Sequence, residues 1–174
     1  GRPVVLYDYR TTRRHIAEHG RELAAFLREL GERRIDLVTH SMGGLLARVA
    51  LTELAGAGQS GLIHRVVMLA PPHHGSAVAT AWVEHFAPSP FLVRPLPDLA
   101  DHPRAAVHTL PVPEGFEIGI IAGRFDSKVA LSSTHLHGER AHVIIDSGHA
   151  FIMNRPEARQ LTLRFLESGS FDKN

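Results

Sequence analysis

Cysteine is missing from this 174-residue chain, which excludes disulfides, thiolate nucleophiles and cysteine-bound metals. No apolar run approaches the roughly 18 residues that a membrane span needs. The opening Gly1-Arg2-Pro3-Val4-Val5-Leu6 has too short an apolar stretch for a secretory signal, and no small-residue cleavage site follows it. An excess of one charge is also missing. Lys plus Arg number 19 and Asp plus Glu 18, a net charge of +1, so nothing favours a nucleic acid or an anionic membrane as partner. There is no internal repeat, no low-complexity tract and no linker. What remains is the profile of one domain over residues 1–174, with 44% hydrophobic and 21% charged residues, ordinary values for a soluble globular protein. A chain of this length buries roughly 70% of its unfolded surface and needs no staples. A cytoplasmic location is the default expectation. The chain starts with Gly rather than Met and enters an apolar run almost at once, as a fragment or processed product would.

Hydrophobic periodicity divides the chain into alternating strands and helices. Val4 to Tyr7 is a short β-branched run that reads as a buried strand. From His15 to Leu30, the residues Ile16, Leu23, Phe26, Leu27 and Leu30 recur at helical spacing, with Gly31 as the stop. Ile35 to Thr39 reads as a strand, Met42 to Ala55 as a Leu- and Ala-rich helix ended by Gly56 and Gly58, and Ile63 to Ala70 as a strand closed by Pro71-Pro72. An irregular stretch follows, holding most of the prolines; its span of about 73–113 is the candidate for a small cap. Phe116 to Ala122 and Ala141 to Ile145 read as further strands, and Pro156 to Leu166 as a terminal helix with Pro in its first turn, where a missing N–H is harmless. Such alternation implies an α/β fold, a mostly parallel sheet flanked by helices. Ligands in such sheets sit at the carboxyl ends of the strands.

That rule selects the chemistry-bearing residues. Thr39-His40-Ser41-Met42-Gly43-Gly44 lies between a strand and a helix, the setting of a nucleophile elbow, in which a serine on a sharp turn projects its oxygen above the sheet. The alternative is a serine that merely caps the helix, but paired glycines in the first helical turn weaken a helix unless packing demands them. The N–H of Met42, at the helix start, is one donor for an oxyanion. A serine needs a base. Thirteen histidines make that residue type uninformative by itself, but His149 in Asp146-Ser147-Gly148-His149 stands between the last strand and the last helix. A third group must orient the imidazole. Asp126 follows the strand Phe116 to Ala122 and gives the chain order Ser, Asp, His. Asp98 and Asp101 lie off any strand end, and Asp146 is close enough in sequence to His149 to read as a turn residue.

The segments together resemble the small bacterial α/β-hydrolases of the esterase and lipase type. Val38-Thr39-His40-Ser41-Met42-Gly43-Gly44-Leu45 resembles their nucleophile elbow, and Val66-Val67-Met68-Leu69-Ala70-Pro71-Pro72-His73-His74-Gly75-Ser76 their loop after the next strand. Asp126-Ser127-Lys128-Val129 resembles their acid segment, and Gly148-His149-Ala150-Phe151-Ile152-Met153 their histidine segment. The resemblance runs from about residue 3 to residue 168. It implies an α/β-hydrolase fold and hydrolysis of a small-molecule or lipid ester through an acyl-enzyme, with no cofactor and no metal. Two departures stand out. The family's strand ending in His-Gly, which supplies a second oxyanion N–H and lies mid-sheet, has no counterpart, so the fold is expected to be minimal or N-terminally truncated. The stretch before Asp126 also looks shorter than in relatives. Pairing of Val4 to Tyr7 directly with Ile35 to Thr39 would fill the gap and bring the Asp8 to Thr11 backbone near Ser41 as a substitute donor.

The remaining candidates weigh less. His40, His73 and His74 are the expected substrate contacts, with His40 packed or hydrogen-bonded behind the elbow rather than acting as a base. Adjacent His73 and His74 point opposite ways on an extended loop and make poor metal ligands. His135-Leu136-His137 can place two imidazoles on one face, but with no acidic partner nearby a solvated loop is the preferred reading. Trp82, Phe86, Phe91 and Leu92 suit either a cap or a helix core. Two rivals to an esterase stay open: an impaired hydrolase-like binding domain lacking a complete oxyanion hole, and an acyltransferase on the same triad. Substrate and oligomeric state are not legible.

Overall fold

The structure, a computed structural model, describes residues 3–9, 14–31, 34–75 and 106–173. In chain order the elements are α1 (Ile16–Glu29), β1 (Ile35–His40), α2 (Met42–Gly56), β2 (Ile63–Leu69), β3 (Glu117–Gly123), the short α3 (Leu131–Thr134), β4 (Ala141–Ile145) and α4 (Pro156–Ser168). The strands pair in the order β1-β2-β3-β4, all parallel. The expected elements after residue 15 are all present, within one or two residues of their expected ends.

Strand alternation splits the core into two layers. Successive side chains of a strand point to opposite faces. Val66, Met68, Ile118 and Ile120 therefore join Leu23, Leu27, Leu46 and Leu54 of α1 and α2 on one face, while Val67, Leu69, Ile121 and Ile145 meet Leu161 and Phe165 of α4 on the other. The central strands β2 and β3 are apolar on both faces, as covered parallel strands are. Two glycines permit close approach. A side chain at Gly20 would meet Val49 Cβ at 2.4 Å, where α1 crosses α2, and one at Gly119 would meet the rings of Phe165 and Phe171 at 2.8 Å.

The expected pairing of Val4 to Tyr7 with β1 is not found, and residues 10–13, part of the backbone expected to supply a substitute donor, lie outside the described residues. Pro3 to Tyr9 has no regular structure, and Val4, Val5 and Leu6 are 90%, 62% and 90% exposed. It does not pair with β1, whose only strand partner among the described residues is β2. The physical reason lies in its aromatics. Tyr7 packs on Phe26 and Tyr9 on His19, with ring centroids 4.8 and 5.2 Å apart. Those anchors are on α1, which covers a face of the sheet, so the segment is held over that face. Residues 76–105, which include Trp82, Phe86, Phe91, Leu92, Asp98 and Asp101 and most of the expected cap, lie outside the described residues.

Candidate active site

The carboxyl ends of β1, β3 and β4 carry the three expected groups. β1 ends at His40, and Ser41 then turns the chain with φ 53° and ψ −126° before α2 begins. A non-glycine residue with positive φ stores about 1–3 kcal/mol of strain and persists only where its surroundings hold it. Here the Ser41 N–H donates to the Leu69 carbonyl at 2.9 Å, and the Ser41 carbonyl accepts from Gly44 N–H at 2.9 Å. One of the paired glycines now has its packing reason. A side chain at Gly44 would lie 2.7 Å from Pro71 Cβ, and one at Gly43 would lie 3.5 Å from Thr39 Cβ. The first of these is a clash and the second an ordinary contact, so packing demands glycine at 44 and merely tolerates it at 43. Ala70, with φ 47°, makes a similar turn at the end of β2 and delivers Pro71 onto the elbow.

Beyond β3, hydrogen bonding takes over from strain. Arg124 and Phe125 donate to the carbonyls of Ile145 and Ser147 at 2.8 and 3.1 Å, extending the β3–β4 ladder into the loops. Gly123 lets these loops touch, since a side chain there would meet the Ser147 carbonyl at 2.5 Å. One Asp126 carboxylate oxygen, Oδ1, accepts from the N–H groups of Lys128 and Val129 at 2.8 and 2.9 Å. The other, Oδ2, accepts from His149 Nδ1 at 2.6 Å, and the carboxylate side chain is only 2% exposed. Because Nδ1 carries that proton, Nε2 holds the lone pair. It accepts the Ser41 hydroxyl at 2.8 Å. His149 itself opens a 3-10 turn, His149–Asn154, and its carbonyl accepts from His40 Nε2 at 3.1 Å. Burial first, and His149 second among the opposing charges, hold the His40 imidazole below its ordinary pKa, while its bond to the His149 carbonyl and the charge of Asp126 pull the other way.

The family model described as a domain of unknown function, DUF7379, matches residues 1–86. No curated protein matches the chain. Solved structures do. Phospholipase PlaB from Legionella pneumophila aligns with a TM-score of 0.70 at 15% identity, over 94% of this chain and 50% of its own. The mature lipase BlEst2 of Bacillus licheniformis gives 0.56 at 20% identity, over 78% of this chain and 66% of its own. A monoacylglycerol lipase of Paleococcus ferrophilus gives 0.57 at 15% identity, over 91% and 77%. The fold is a minimal α/β-hydrolase fold.

In this α/β-hydrolase fold Asp146 is no rival for Asp126. It points outward and pairs with Arg124 at 2.7 Å, with both side chains more than half exposed. His40 lies against the histidine loop, its ring 5.0 Å from that of His149. His73 and His74 part company. His73 is 1% exposed, and neither of its ring nitrogens has a hydrogen-bond partner. Burial, with Arg48 and His74 adding to it, keeps it neutral. Contact with a bound substrate would need movement of this loop. His74 is exposed, and its N–H donates to Ser133 at 3.2 Å. Met42 is the first residue of α2, so its N–H has no acceptor within the helix. No helix among the described residues is long and apolar enough to cross a membrane.

Sequence reasoning passes over one cluster and gives another the wrong partners. Arg48, buried in α2, donates to the carbonyls of Leu110, Pro111 and His73 at 2.6, 3.2 and 3.2 Å, and burial lowers its pKa to about 10. An arginine inside Leu45-Leu46-Ala47-Arg48-Val49-Ala50 was the available signal. The other is acidic after all: Glu139 bonds His135 Nδ1 at 2.7 Å, and the imidazole beside His135 is His142, not His137.

Proposed function

We propose that this protein is a serine hydrolase that cleaves carboxylic esters through an acyl-enzyme. The observation that carries the reading is the unbroken row Asp126–His149–Ser41, with links of 2.6 and 2.8 Å. His149 takes the hydroxyl proton as Ser41 Oγ attacks the ester carbonyl. Asp126 fixes the tautomer and offsets the charge of the imidazolium without accepting the proton. The Met42 N–H, assisted by the positive end of α2, stabilises the oxyanion. His149 then protonates the leaving alcohol, and water attacks the acyl-enzyme with His149 as base. The similar solved structures include lipases, a phospholipase, thioesterases and a lactonase, which supports acyl chemistry in general. A small-molecule or lipid ester is the proposed substrate, with His40 steadying the histidine loop and His74 the exposed candidate for substrate contact.

The test is Ser41→Ala. Its hydrolysis of a p-nitrophenyl ester should fall by at least about 10³-fold with circular dichroism unchanged, and retained activity would reject the assignment. The impaired-hydrolase reading rests on Pro3 to Tyr9, which supplies no strand beside β1 from which a second oxyanion donor would come. A fluorophosphonate probe separates the two, since an activated Ser41 is labelled and an inert one is not. If an added alcohol captures the acyl group faster than water does, the activity is acyl transfer.

A further inference from the structure

We infer that His135, Glu139 and His142 form a binding site for one divalent transition-metal ion of the zinc kind. This site stands independently of the chemistry assigned to Ser41. One ligand atom from each of the three residues lies within 4.8 Å of the other two. His135 directly follows α3, Glu139 follows the turn at Gly138, and His142 is the second residue of β4. Two imidazoles and a carboxylate are a familiar donor set for zinc, which binds nitrogen and oxygen at roughly 2.0–2.2 Å, and three protein ligands leave a fourth position to water.

The donors are already oriented by other bonds. Glu139 Oε2 accepts the Leu136 N–H at 2.8 Å, which fixes the carboxylate while Oε1 faces His135. Thr134 donates its hydroxyl proton to the Leu131 carbonyl at 2.7 Å, so toward His142 Nε2, at 2.9 Å, it is the acceptor. His142 is then protonated on Nε2 and keeps its Nδ1 lone pair. A metal-binding histidine usually makes such an outer bond through its second nitrogen. The two rings stack with centroids 4.0 Å apart and planes 19° apart. Stacked imidazoles cannot both aim at one ion, so binding requires the exposed His135 ring to rotate out of the stack and exchange its bond to Glu139 Oε1 for the metal. The bound ion would clip the segment after Asp126 to the start of β4. His142 sits opposite Ile120 of β3, near the other end of the strand from the His149 loop, so the ion would take no part in the chemistry at Ser41.

The experiment is calorimetric titration of the chelator-treated protein with Zn²⁺ alone, paired with thermal unfolding. The wild type should bind one equivalent and unfold at a higher temperature with Zn²⁺. In Glu139→Gln the affinity should fall at least about 10-fold, and in His135→Ala the equivalent and the thermal shift should both disappear. Thr134→Val should weaken binding by about 10–100-fold, the usual effect of losing an outer partner. The first two positions are not fully buried, so their variants should retain the wild-type circular dichroism spectrum. With 13 histidines in the chain, adventitious zinc is the alternative. Equal stoichiometry and affinity in wild type and His135→Ala would overturn the site, as would loss of binding in His149→Ala with His135→Ala unaffected.

Discussion

The elbow at Ser41 and the loops carrying Asp126 and His149 place their side chains by different means. The elbow adds crowding to its backbone hydrogen bonds. A strained serine is followed by Gly44, which cannot grow because Pro71 lies against it, and its own N–H and carbonyl are bonded to Leu69 and Gly44. The acid and histidine loops are held by donors and acceptors: two amides and an imidazole on one carboxylate, and His40 on the His149 carbonyl. The difference follows from what each group must do. A nucleophile must stand clear of the backbone, which takes steric force. A base must keep one tautomer, which takes a directional hydrogen bond.

The largest effect should come from cutting that directional bond without disturbing the loop. In Asp126→Asn the side-chain carbonyl can still accept from Lys128 and Val129, so the turn survives. The amide can no longer play the carboxylate's part toward Nδ1, and the histidine is free to take the wrong tautomer. We expect kcat for a p-nitrophenyl ester to fall by about 10⁴-fold with the unfolding midpoint close to wild type. Asp126→Ala should cost stability as well, because two N–H groups lose their acceptor. If both variants stayed active, the hydrogen-bonded loop would be scaffolding only.

Crowding should give a smaller effect of a different kind. Gly44→Ala places a methyl 2.7 Å from Pro71 Cβ, and overpacking of this sort costs about 1–3 kcal/mol. Because Pro71 and the elbow must separate, the rate should fall together with the stability. Gly20→Ala is the matched control. It meets Val49 at 2.4 Å between α1 and α2, with no triad residue among its near neighbours, and should lower stability while leaving kcat unchanged. Chemical denaturation and initial rates on the two proteins distinguish a general packing penalty from one aimed at the nucleophile.

Much of this arrangement was legible in the sequence, and the reason is local. A strand followed by Ser41-Met42-Gly43-Gly44, and a strand followed by Gly123 to Asp126, carry their geometry in neighbouring residues. The failures are all non-local. Val4 to Leu6 is apolar enough for a strand, but apolarity says nothing about which edge would receive it, and the anchors proved to be Tyr7 and Tyr9 on α1. Period-two spacing pairs His135 with His137, yet the turn at Gly138 brings Glu139 back onto it and β4 supplies His142. The partners of Arg48 have no local signal, because its three carbonyls come from residues 73, 110 and 111. Neither a turn-mediated pairing nor a buried cation bound to backbone has a signature in a single window of sequence.

The smallest effect should be at Asp146, which completes the contrast. It lies three residues from His149, nearer in sequence than Asp126, yet it faces solvent and pairs only with Arg124, its side chain 64% exposed. Exposed ion pairs contribute little, because water screens them and two long side chains must be ordered to make them. Asp146→Asn should therefore change stability by no more than about 0.5 kcal/mol and leave the ester-hydrolysis rate within about twofold of wild type, at low and high salt alike. A loss as large as that of Asp126→Asn would mean that the imidazole takes its orientation from the solvent side of the loop, and that the buried 2.6 Å bond does not set its tautomer.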